Sequence, residues 1–378
     1  MTESYDAIVV GVGGVGSATT YHLADRGLDV LGLERYDVPH AKGSSHGGTR
    51  IIRRVQHEDP AYVPLVERAY DLWRDLESET GRDLLSPTGS IHAGPPSSGI
   101  VEDALTACTD QEVPHELLSA EQVGTRFPGY DLPDDYRAVY QPDGGFLAVE
   151  RCTVAHVEAA HAAGATVRAR ERVLDVVETT DGVRVRTDKA RYEADELVVT
   201  AGAWTREFLP ELAPETVPVR AVMAWFHPER PEWFAPDQFP VFVIQDEHEG
   251  GYGVPRFETP GFKVGLGAPL PAVDPDEMDP GPTRAEEELH RRFVERYFPA
   301  GAGPTMRLST CLWTMTEDEH FLVGRPSGYD AVTVGAGFSG HGFKFASALG
   351  EVLADIALAG ETDHEIEIFD VNRIDRAK

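Results

Sequence analysis

Apolar runs and glycine-rich turns form the same pattern near both ends of the chain. Residues 7–10 are apolar and predict a short buried strand, residues 17–26 have helical periodicity, and residues 30–33 predict a second strand. Far along the chain, residues 331–337 (AVTVGAG) and the helical pattern of residues 344–359 repeat the sequence of strand, glycine turn and helix. The pattern predicts an α/β domain that is built from both ends of the chain.

The middle of the chain has a different pattern. Residues 124–145 are rich in Gly, Pro and Asp and predict a loop. Helical periodicity recurs in three places, at residues 60–76, 153–163 and 283–298. Short apolar runs predict the strands of a mixed or antiparallel sheet at residues 218–226, 241–244, 251–255 and 262–267. A second, sheet-rich domain therefore interrupts the first.

Three glycines follow the first predicted strand at G-x-G-x-x-G spacing: Gly11, Gly13 and Gly16. Such glycines permit a tight turn, the approach of backbone to a pyrophosphate, and close packing of helix on strand. Glu34 ends the second strand and is spaced to accept a hydrogen bond from a ribose hydroxyl. A glycine-rich turn without a ligand is the alternative. A dinucleotide site is favoured, because a strand, the glycines, a helix, a second strand and an acid follow one another in this order.

The composition of the chain limits the classes of partner that it can bind. The chain has 64 acidic and 34 basic residues among 378, a net charge of −30, which repels nucleic acid and anionic lipid. No stretch approaches the roughly 18 apolar residues of a membrane span, and the acidic start MTESYD is unlike a signal peptide. The three cysteines are widely spaced, which fits a reducing cytoplasm better than a disulfide framework. We expect a cytoplasmic protein that binds neither nucleic acid nor membranes.

Lysine is scarce and the surface is acidic. Lysine occurs at only five positions, 42, 189, 263, 344 and 378, whereas arginine supplies the other positive charges. Acid-rich, lysine-poor composition suggests a halophilic protein, adapted to a high-salt cytoplasm where charge repulsion is screened. An ordinary acidic protein is the alternative. The scarcity of lysine makes each one at a motif more informative.

Two segments contain candidates for anion binding. Arg50 and Arg53 lie in GSSHGGTRIIR, and they would share a face if this segment were a helix or turn. The arginine fork suits a carboxylate, although a pair of solvated surface arginines is an equal alternative. Lys344 lies at the predicted start of a helix, where the dipole repels a cation unless an anion binds alongside. A lysine whose ammonium reaches solvent is the alternative there.

Residue patterns alone do not decide the roles of Cys311 and Lys263. Cys311, next to Leu and Trp, is by composition more typical of an inert core residue than of a reactive thiol. The acidic turn before His320 lacks a second ligand cluster, so no metal site is predicted. Lys263 lies opposite to its apolar neighbours in a predicted strand, and it could face either solvent or a cleft.

The domain organisation favours FAD over a nicotinamide cofactor, by analogy with folds in which a discontinuous dinucleotide domain is interrupted by a substrate domain. We predict an α/β fold in which a Rossmann-like FAD-binding domain is combined with a mixed-sheet substrate domain. Its FAD-binding segments are residues 1–84, 146–217 and 308–378, and its substrate segments are residues 85–145 and 218–307.

Over essentially its whole length the chain resembles the monomeric sarcosine oxidase and N-methyltryptophan oxidase family, within the D-amino-acid-oxidase-like flavoproteins. The resemblance rests on GVGGVG, GSSHGGTRIIR, YGVPRFETPGFKVG, CLWTMTEDEHF and GFSGHGFKF, in the family's order. It implies FAD attached through its 8α-methyl group to the thioether of Cys311. It also implies that Arg53 and Lys344 bind the substrate carboxylate and that Lys263 activates O2.

The same resemblance assigns the remaining site residues. Arg50 and His46 match residues near the flavin, and Tyr252 matches a tyrosine beside the substrate; together with Lys263 they form the predicted catalytic set. One position departs from the family, because Gly267 replaces a histidine four residues after Lys263. The predicted cofactor-binding residues are Gly11, Gly13, Gly14, Gly16, Glu34, Arg35, Ser44, Ser45, Thr49, Arg50, Val173, Ala201, Gly202, Trp204, Cys311, Gly337, Gly340, Gly342 and Lys344.

The expected activity is the oxidation of the C–N bond of a small N-methyl or other secondary amino acid, with release of hydrogen peroxide. A dehydrogenase that passes electrons to a carrier, and an oxidase acting on a cyclic imino acid or a D-amino acid, are the enzymatic alternatives. A non-enzymatic flavin-binding partner, such as one for tRNA modification, would leave the carboxylate-binding cations without a purpose. The family implies a monomer whose partners are the amino-acid substrate and O2.

Overall fold

The computed structural model describes residues 2–54, 56, 58–212, 215–259, 261–278 and 281–373. The strands are β1 (Glu3–Val10), β2 (Val30–Leu33), β3 (Thr49–Ile52), β4 (Leu85–Pro87), β5 (Ser90–Gly94), β6 (Glu116–Ser119), β7 (Arg137–Gln141), β8 (Gly145–Ala148), β9 (Thr166–Arg168), β10 (Val173–Thr179), β11 (Gly182–Thr187), β12 (Arg191–Val199), β13 (Val217–Phe226), β14 (Val241–Gln245), β15 (Gly250–Val254), β16 (Phe262–Leu266), β17 (Thr305–Met315), β18 (Leu322–Gly324) and β19 (Val332–Ala336). The α-helices are α1 (Gly14–Asp25), α2 (Tyr62–Thr80), α3 (Ile100–Asp110), α4 (Ala120–Arg126), α5 (Val149–Ala162), α6 (Thr205–Phe208), α7 (Arg284–Tyr297) and α8 (Ala346–Ala359).

The first sheet joins the two ends of the chain, as the apolar pattern predicts. Its order is β10-β11-β12-β1-β2-β9, and β19 pairs with β12 and β18. Strands β9, β2, β1, β12 and β19 are parallel, and the apolar end of β1 is fully buried because both of its faces are covered. Helices α1, α2, α5 and α8 pack on one another beside this sheet and share one apolar core with β1. This is the predicted Rossmann-like arrangement.

The second sheet is mixed, also as predicted. Its order is β17-β13-β16-β15-β14-β5-β7-β6, with β14 and β5 parallel and the other pairs antiparallel. One face of β16 bears Phe262 and Val264, which pack with α7 in an aromatic-rich core. The opposite face bears Lys263, because side chains alternate along a strand. That face looks toward the candidate site.

A small third sheet connects the two larger ones. Strand β8 lies between β3 and β4, antiparallel to both. Strand β3 also contacts β15 of the second sheet and the 3₁₀ turn Gly342–Phe345, which precedes α8. The short β3 therefore brings the segment after the first glycine motif next to elements from distant parts of the chain.

One local prediction is wrong, and the structure refines two others. The predicted loop at residues 124–145 contains strand β7, which pairs with both β5 and β6. Arg50 lies in strand β3, so the helical or turn spacing of Arg50 and Arg53 does not apply. Lys344 lies in the 3₁₀ turn, not in α8 itself. The five-segment division into domains stays a proposal; its last boundary, at residues 307 and 308, falls inside β17.

Candidate active site

A long cleft opens at the carboxyl ends of β1 and β2, where α1 begins. It encloses about 1390 Å³ of empty space, including its mouth. Gly16 explains how closely α1 approaches β1, because a Cβ on this residue would lie 1.8 Å from the carbonyl oxygen of Gly11. The predicted cofactor residues that line the cleft are Gly11, Gly13, Gly14, Glu34, Arg35, Ser44, Ser45, Arg50, Val173, Ala201, Gly202, Trp204, Gly337, Gly340 and Gly342.

Glu34 lies at the end of β2 and is buried at the cleft wall. Its two carboxylate oxygens accept hydrogen bonds from the backbone N–H groups of Val12 (3.0 Å) and Tyr36 (2.9 Å). His40 lies 3.4 Å away. Burial raises the pKa of Glu34, but these hydrogen bonds and His40 outweigh it, so the net shift is downward. An ionised carboxylate at this position can accept hydrogen bonds from a ligand.

The segment of residues 43–50, a loop that runs into β3, contacts β17 next to Cys311. The Ser44 hydroxyl donates to the Leu312 carbonyl oxygen at 2.6 Å. Arg50 donates from one nitrogen to the Ser44 carbonyl oxygen at 2.6 Å, and the same nitrogen lies 3.5 Å from the Cys311 sulfur. Cys311 is 1% exposed and is a free thiol. The structure thus brings Arg50 and Cys311 together although 261 positions separate them.

His46 is buried in the same loop, and neither ring nitrogen has a hydrogen-bond partner among the described residues. Burial lowers the pKa of His46 to about 3, and the charges of Arg50 and Lys263 lower it as well. The imidazole is therefore neutral at physiological pH. Two buried polar atoms without partners are expected where a polar ligand completes the site.

Lys263 is 2% exposed, which excludes the solvent-facing alternative. Its ammonium group donates to the carbonyl oxygens of Thr49 (2.7 Å) and Gly47 (3.2 Å), and it lies 5.6 Å from the centre of the Trp225 ring. Burial moves the pKa of Lys263 well below its usual value, and the charge of Arg50 adds to this effect.

Tyr252 and Trp313 lie on the same face of the second sheet as Lys263. Tyr252 and Met223 both pair with Gly265, which lies on the Lys263 face of β16. Met223 pairs with Ser309, and Trp313 follows four residues later on the same face of β17. The two aromatic rings have centroids 6.2 Å apart. Gly267 follows β16 at the solvent edge, and a Cβ there would approach only the Gly250 carbonyl oxygen, at 3.7 Å. The position of the family histidine is therefore open space.

Two buried cations lie near β3: Arg53 follows it directly in the chain, and Lys344 lies in the 3₁₀ turn that contacts it. Arg53 is 4% exposed and donates to the Glu58 carboxylate at 2.6 Å. Lys344 is 3% exposed and donates to the His341 carbonyl oxygen at 2.9 Å. Burial lowers the pKa of Lys344 to about 7; Glu58 raises it and Arg53 lowers it, so all three groups interact. The alternatives of surface arginines for Arg53 and of a solvent-reaching lysine for Lys344 are wrong.

Several predicted residues lie outside the lining of the cleft: Gly16, Thr49, Cys311, Lys344, His46, Lys263, Tyr252 and Arg53. Most of them surround the loop of residues 43–50 and β3, as the preceding contacts show. Three neighbours were not predicted: Glu58, Glu150 and Trp313. Glu58, five residues after Arg53, could have been found as an acid next to a proposed anion site, but the sequence is too rich in acids for this to be specific.

Other kinds of site receive no support. The described part of the chain contains no group of three or more His, Cys, Asp or Glu side chains that could hold a metal ion. Among the described helices, none is long and apolar enough to cross a membrane.

Comparisons with known proteins agree with the geometry. Residues 6–356 match the family described as FAD dependent oxidoreductase. The chain is 38% identical to monomeric sarcosine oxidase of Bacillus sp. (strain NS-129), over 99% of this chain and 98% of the relative. It is 34% identical to N-methyl-L-tryptophan oxidase of Yersinia pestis (strain Pestoides F), over 98% of this chain and 99% of the relative.

Among solved structures, the fold is similar to that of NikD, an unusual amino acid oxidase essential for nikkomycin biosynthesis. The TM-score is 0.86 and the identity 28%, with 98% of each chain covered. The cleft, with its glycine-rich wall at the start of α1 and the Glu34 carboxylate beside it, fits a dinucleotide. The chain belongs to the family of FAD-dependent oxidoreductases.

Proposed function

We propose that the protein is a flavin-dependent amine oxidase that oxidises the C–N bond of a secondary, sarcosine-like amino acid. The products are an imine, which water hydrolyses to an aldehyde and an amine, and hydrogen peroxide. The observation that carries the proposal is the pair of buried cations, Arg53 and Lys344, beside the same short strand whose preceding loop contacts Lys263 and Cys311. The names and substrates of the curated relatives support the same reaction.

The cleft residues would hold FAD. Gly11, Gly13 and the start of α1 would bind the pyrophosphate, and Glu34 would accept from a ribose hydroxyl. Bound FAD supplies the two-electron chemistry, taking a hydride equivalent from the substrate and reducing O2.

Cys311 is the proposed covalent attachment point for the 8α carbon of the flavin. Its thiol is buried on the face of the sheet that also bears Lys263, and it has an Arg50 nitrogen 3.5 Å away. Arg50 and the neutral His46 would adjoin the flavin ring.

Arg53 and Lys344 would bind the substrate carboxylate. Arginine can engage both oxygens, and each cation is buried, so water competes little. In the described structure Arg53 is paired with Glu58, and a substrate carboxylate would replace that partner. Anchoring the carboxylate fixes the amine and its α-carbon relative to the flavin, which is the main contribution of positioning to the rate.

Lys263 would assist the reaction with O2. A buried ammonium group, held by two carbonyl oxygens, offers a preorganised positive charge to oxygen as it gains an electron. This favours an oxidase over a dehydrogenase that uses a carrier.

The replacement of the family histidine by Gly267 supports a roomier substrate site. A Cβ at Gly267 would meet no side chain within 4 Å, and Tyr252 lies two residues along β15 from Gly250, the residue opposite Gly267. We therefore expect N-methyl amino acids with larger side chains to be accepted along with sarcosine.

Peroxide release on a substrate panel tests the proposal. The purified protein is assayed for O2 consumption and peroxide with sarcosine, larger N-methyl amino acids, proline and D-amino acids. We expect peroxide in stoichiometry with O2 for the N-methyl substrates, and Lys263→Met should slow flavin reoxidation far more than flavin reduction. Reduction of an added carrier without O2 consumption would contradict the oxidase assignment, and activity confined to proline or D-amino acids would contradict the substrate class.

The cellular setting is also a proposal. The net charge of −30 and the scarcity of lysine support a halophilic enzyme. The three widely spaced cysteines support a cytoplasmic location, and the names of the sarcosine oxidase relatives support a monomer. Unfolding and activity measured from low to molar KCl test the salt adaptation. A halophilic protein should gain stability as salt screens the repulsion between its carboxylates, and a protein whose stability ignores KCl would refute this part.

A further inference from the structure

Glu150 connects helix α5 to the loop that holds Lys263. Its carboxylate accepts hydrogen bonds from the backbone N–H groups of Gly47 (2.8 Å) and Gly48 (3.1 and 3.2 Å). In return, the Val149 N–H donates to the Gly48 carbonyl oxygen at 3.1 Å. Both glycines have positive φ, of 90° and 79°, which lets successive N–H groups point at one anion. Glu150 also lies in the first turn of α5, where the helix dipole favours a negative charge.

The same loop is what holds the buried ammonium group. Lys263 donates to the Gly47 and Thr49 carbonyl oxygens, so the residue whose N–H binds Glu150 also accepts from Lys263. Gly47 alone thus separates the carboxylate from the ammonium group. The negative charge of Glu150 raises the pKa of Lys263, opposing the effects of burial and of Arg50.

We propose that Glu150 is a positioning residue for Lys263: its carboxylate fixes the loop whose carbonyl oxygens hold the ammonium group, and it places a negative charge on the other side of that loop. This inference rests on the proposed role of Lys263 in the reaction with O2. Glu150 itself acts only through the loop.

Other charges around Lys263 must be distinguished from that of Glu150. Arg50 and Arg307 lower the pKa of Lys263, Cys311 would be an uncharged thioether in the holoenzyme, and His46 is neutral beside Lys263. None of these groups bonds to both Gly47 and Gly48, as Glu150 does. A change at Glu150 therefore tests the loop and its charge together, and two variants separate these contributions.

Glu150→Gln removes the charge and keeps the geometry, since one amide oxygen can still accept from both glycines. Glu150→Ala removes both. The matched control is Glu158→Gln, which makes the same change in the same helix at an exposed residue paired with Arg82. All variants are prepared as holoenzyme.

The direct readout is NMR of isotope-labelled lysine, which is simple because the chain has only five lysines. Lys263→Met assigns the signal. We expect Glu150→Gln to move the titration midpoint of Lys263 downward by about one pH unit, because the negative charge that raises this pKa is removed. Glu158→Gln should leave it unchanged. An unmoved midpoint in Glu150→Gln, or an equal shift in Glu158→Gln, would overturn the proposal.

Stopped-flow reoxidation of dithionite-reduced flavin gives the functional readout without any substrate. We expect the pH above which reoxidation slows to fall by the same unit in Glu150→Gln, and Glu150→Ala to reoxidise more slowly still at every pH. Equal pH profiles in wild type and Glu150→Gln would overturn the proposal. If Lys263→Met reoxidises normally while the NMR midpoint still shifts, the proposed role of Lys263 in catalysis fails but its coupling to Glu150 stands.

Discussion

The pKa of Lys344 makes the binding of carboxylates depend on pH near neutrality. Burial lowers this pKa to about 7, and the charges of Glu58 and Arg53 act on it in opposite directions. A carboxylate needs the protonated form, because only the ammonium group can donate to it with a full charge. Acetate tests this group in isolation, since acetate has a carboxylate but no amine that could titrate.

The expected magnitude follows from the fraction of protein that carries the ammonium group. That fraction is about one half at pH 7 and about 3% at pH 8.5, and the apparent Kd rises in inverse proportion. Acetate should therefore bind about 30-fold more weakly at pH 8.5 than at its plateau at low pH. His46 and His341 have pKa values lowered to about 3, so neither changes its charge in this range.

The assay is the change in flavin absorbance as acetate is titrated into holoenzyme between pH 6 and pH 9. Lys344→Gln should remove most of the pH dependence and weaken binding at pH 6 by about 30-fold, equivalent to about 2 kcal/mol for a charged hydrogen bond. Lys189→Gln, at an exposed lysine, is the matched control. A wild-type Kd that stays constant from pH 6 to pH 9, or an undiminished rise in Lys344→Gln, would refute the reasoning.

Three further predictions concern the flavin link, the substrate pocket and stability in acid. Cys311→Ala should release its flavin on acid precipitation while Cys108→Ala retains it; flavin released from the wild type would exclude the covalent link. Gly267→His should lower kcat/KM for bulky N-methyl amino acids by about tenfold or more and affect sarcosine less, since the imidazole fills open space; equal losses on both substrates would contradict this. Burial lowers the pKa of His156 to about 3, so unfolded chains bind a proton there that folded ones do not. Stability falls as pH drops below about 6.5, and of this loss His156 alone contributes about 2 kcal/mol at pH 5. His156→Phe should reduce this loss in urea unfolding, and an unchanged loss would show that His156 is protonated in the folded protein.

The glycine motif and the faces of the strands could be predicted because they depend on local spacing. Gly11, Gly16 and Glu34 belong to one continuous strand, helix and strand, and their positions follow from short-range geometry. The orientation of Lys263 followed from alternation along β16, although its burial did not. Resemblance to a family added what spacing could not, namely a role for Cys311.

The features that the sequence failed to reveal depend on contacts between distant segments. Strand β7 was hidden by flanking Gly, Pro and Asp residues, and only its pairing with β5 and β6 defines it as a strand. Glu150 contacts Gly47 across 103 positions because β8 pairs with β3 immediately before α5 begins. In a chain with 64 acids, nothing local distinguishes this carboxylate or Glu58 from surface acids.

The proton balance at Lys344 also distinguishes a simple carboxylate from the proposed substrate. Above pH 7, acetate binding requires a net uptake of one proton by Lys344. A zwitterionic secondary amino acid brings a proton on its ammonium group, and the amine must lose that proton before it can be oxidised. The two changes cancel, so the substrate can bind at pH 8 without net proton exchange with solvent. A lysine whose pKa lies near 7 therefore matches an amino acid better than a plain acid, and the pH dependence of binding should be flatter for sarcosine than for acetate.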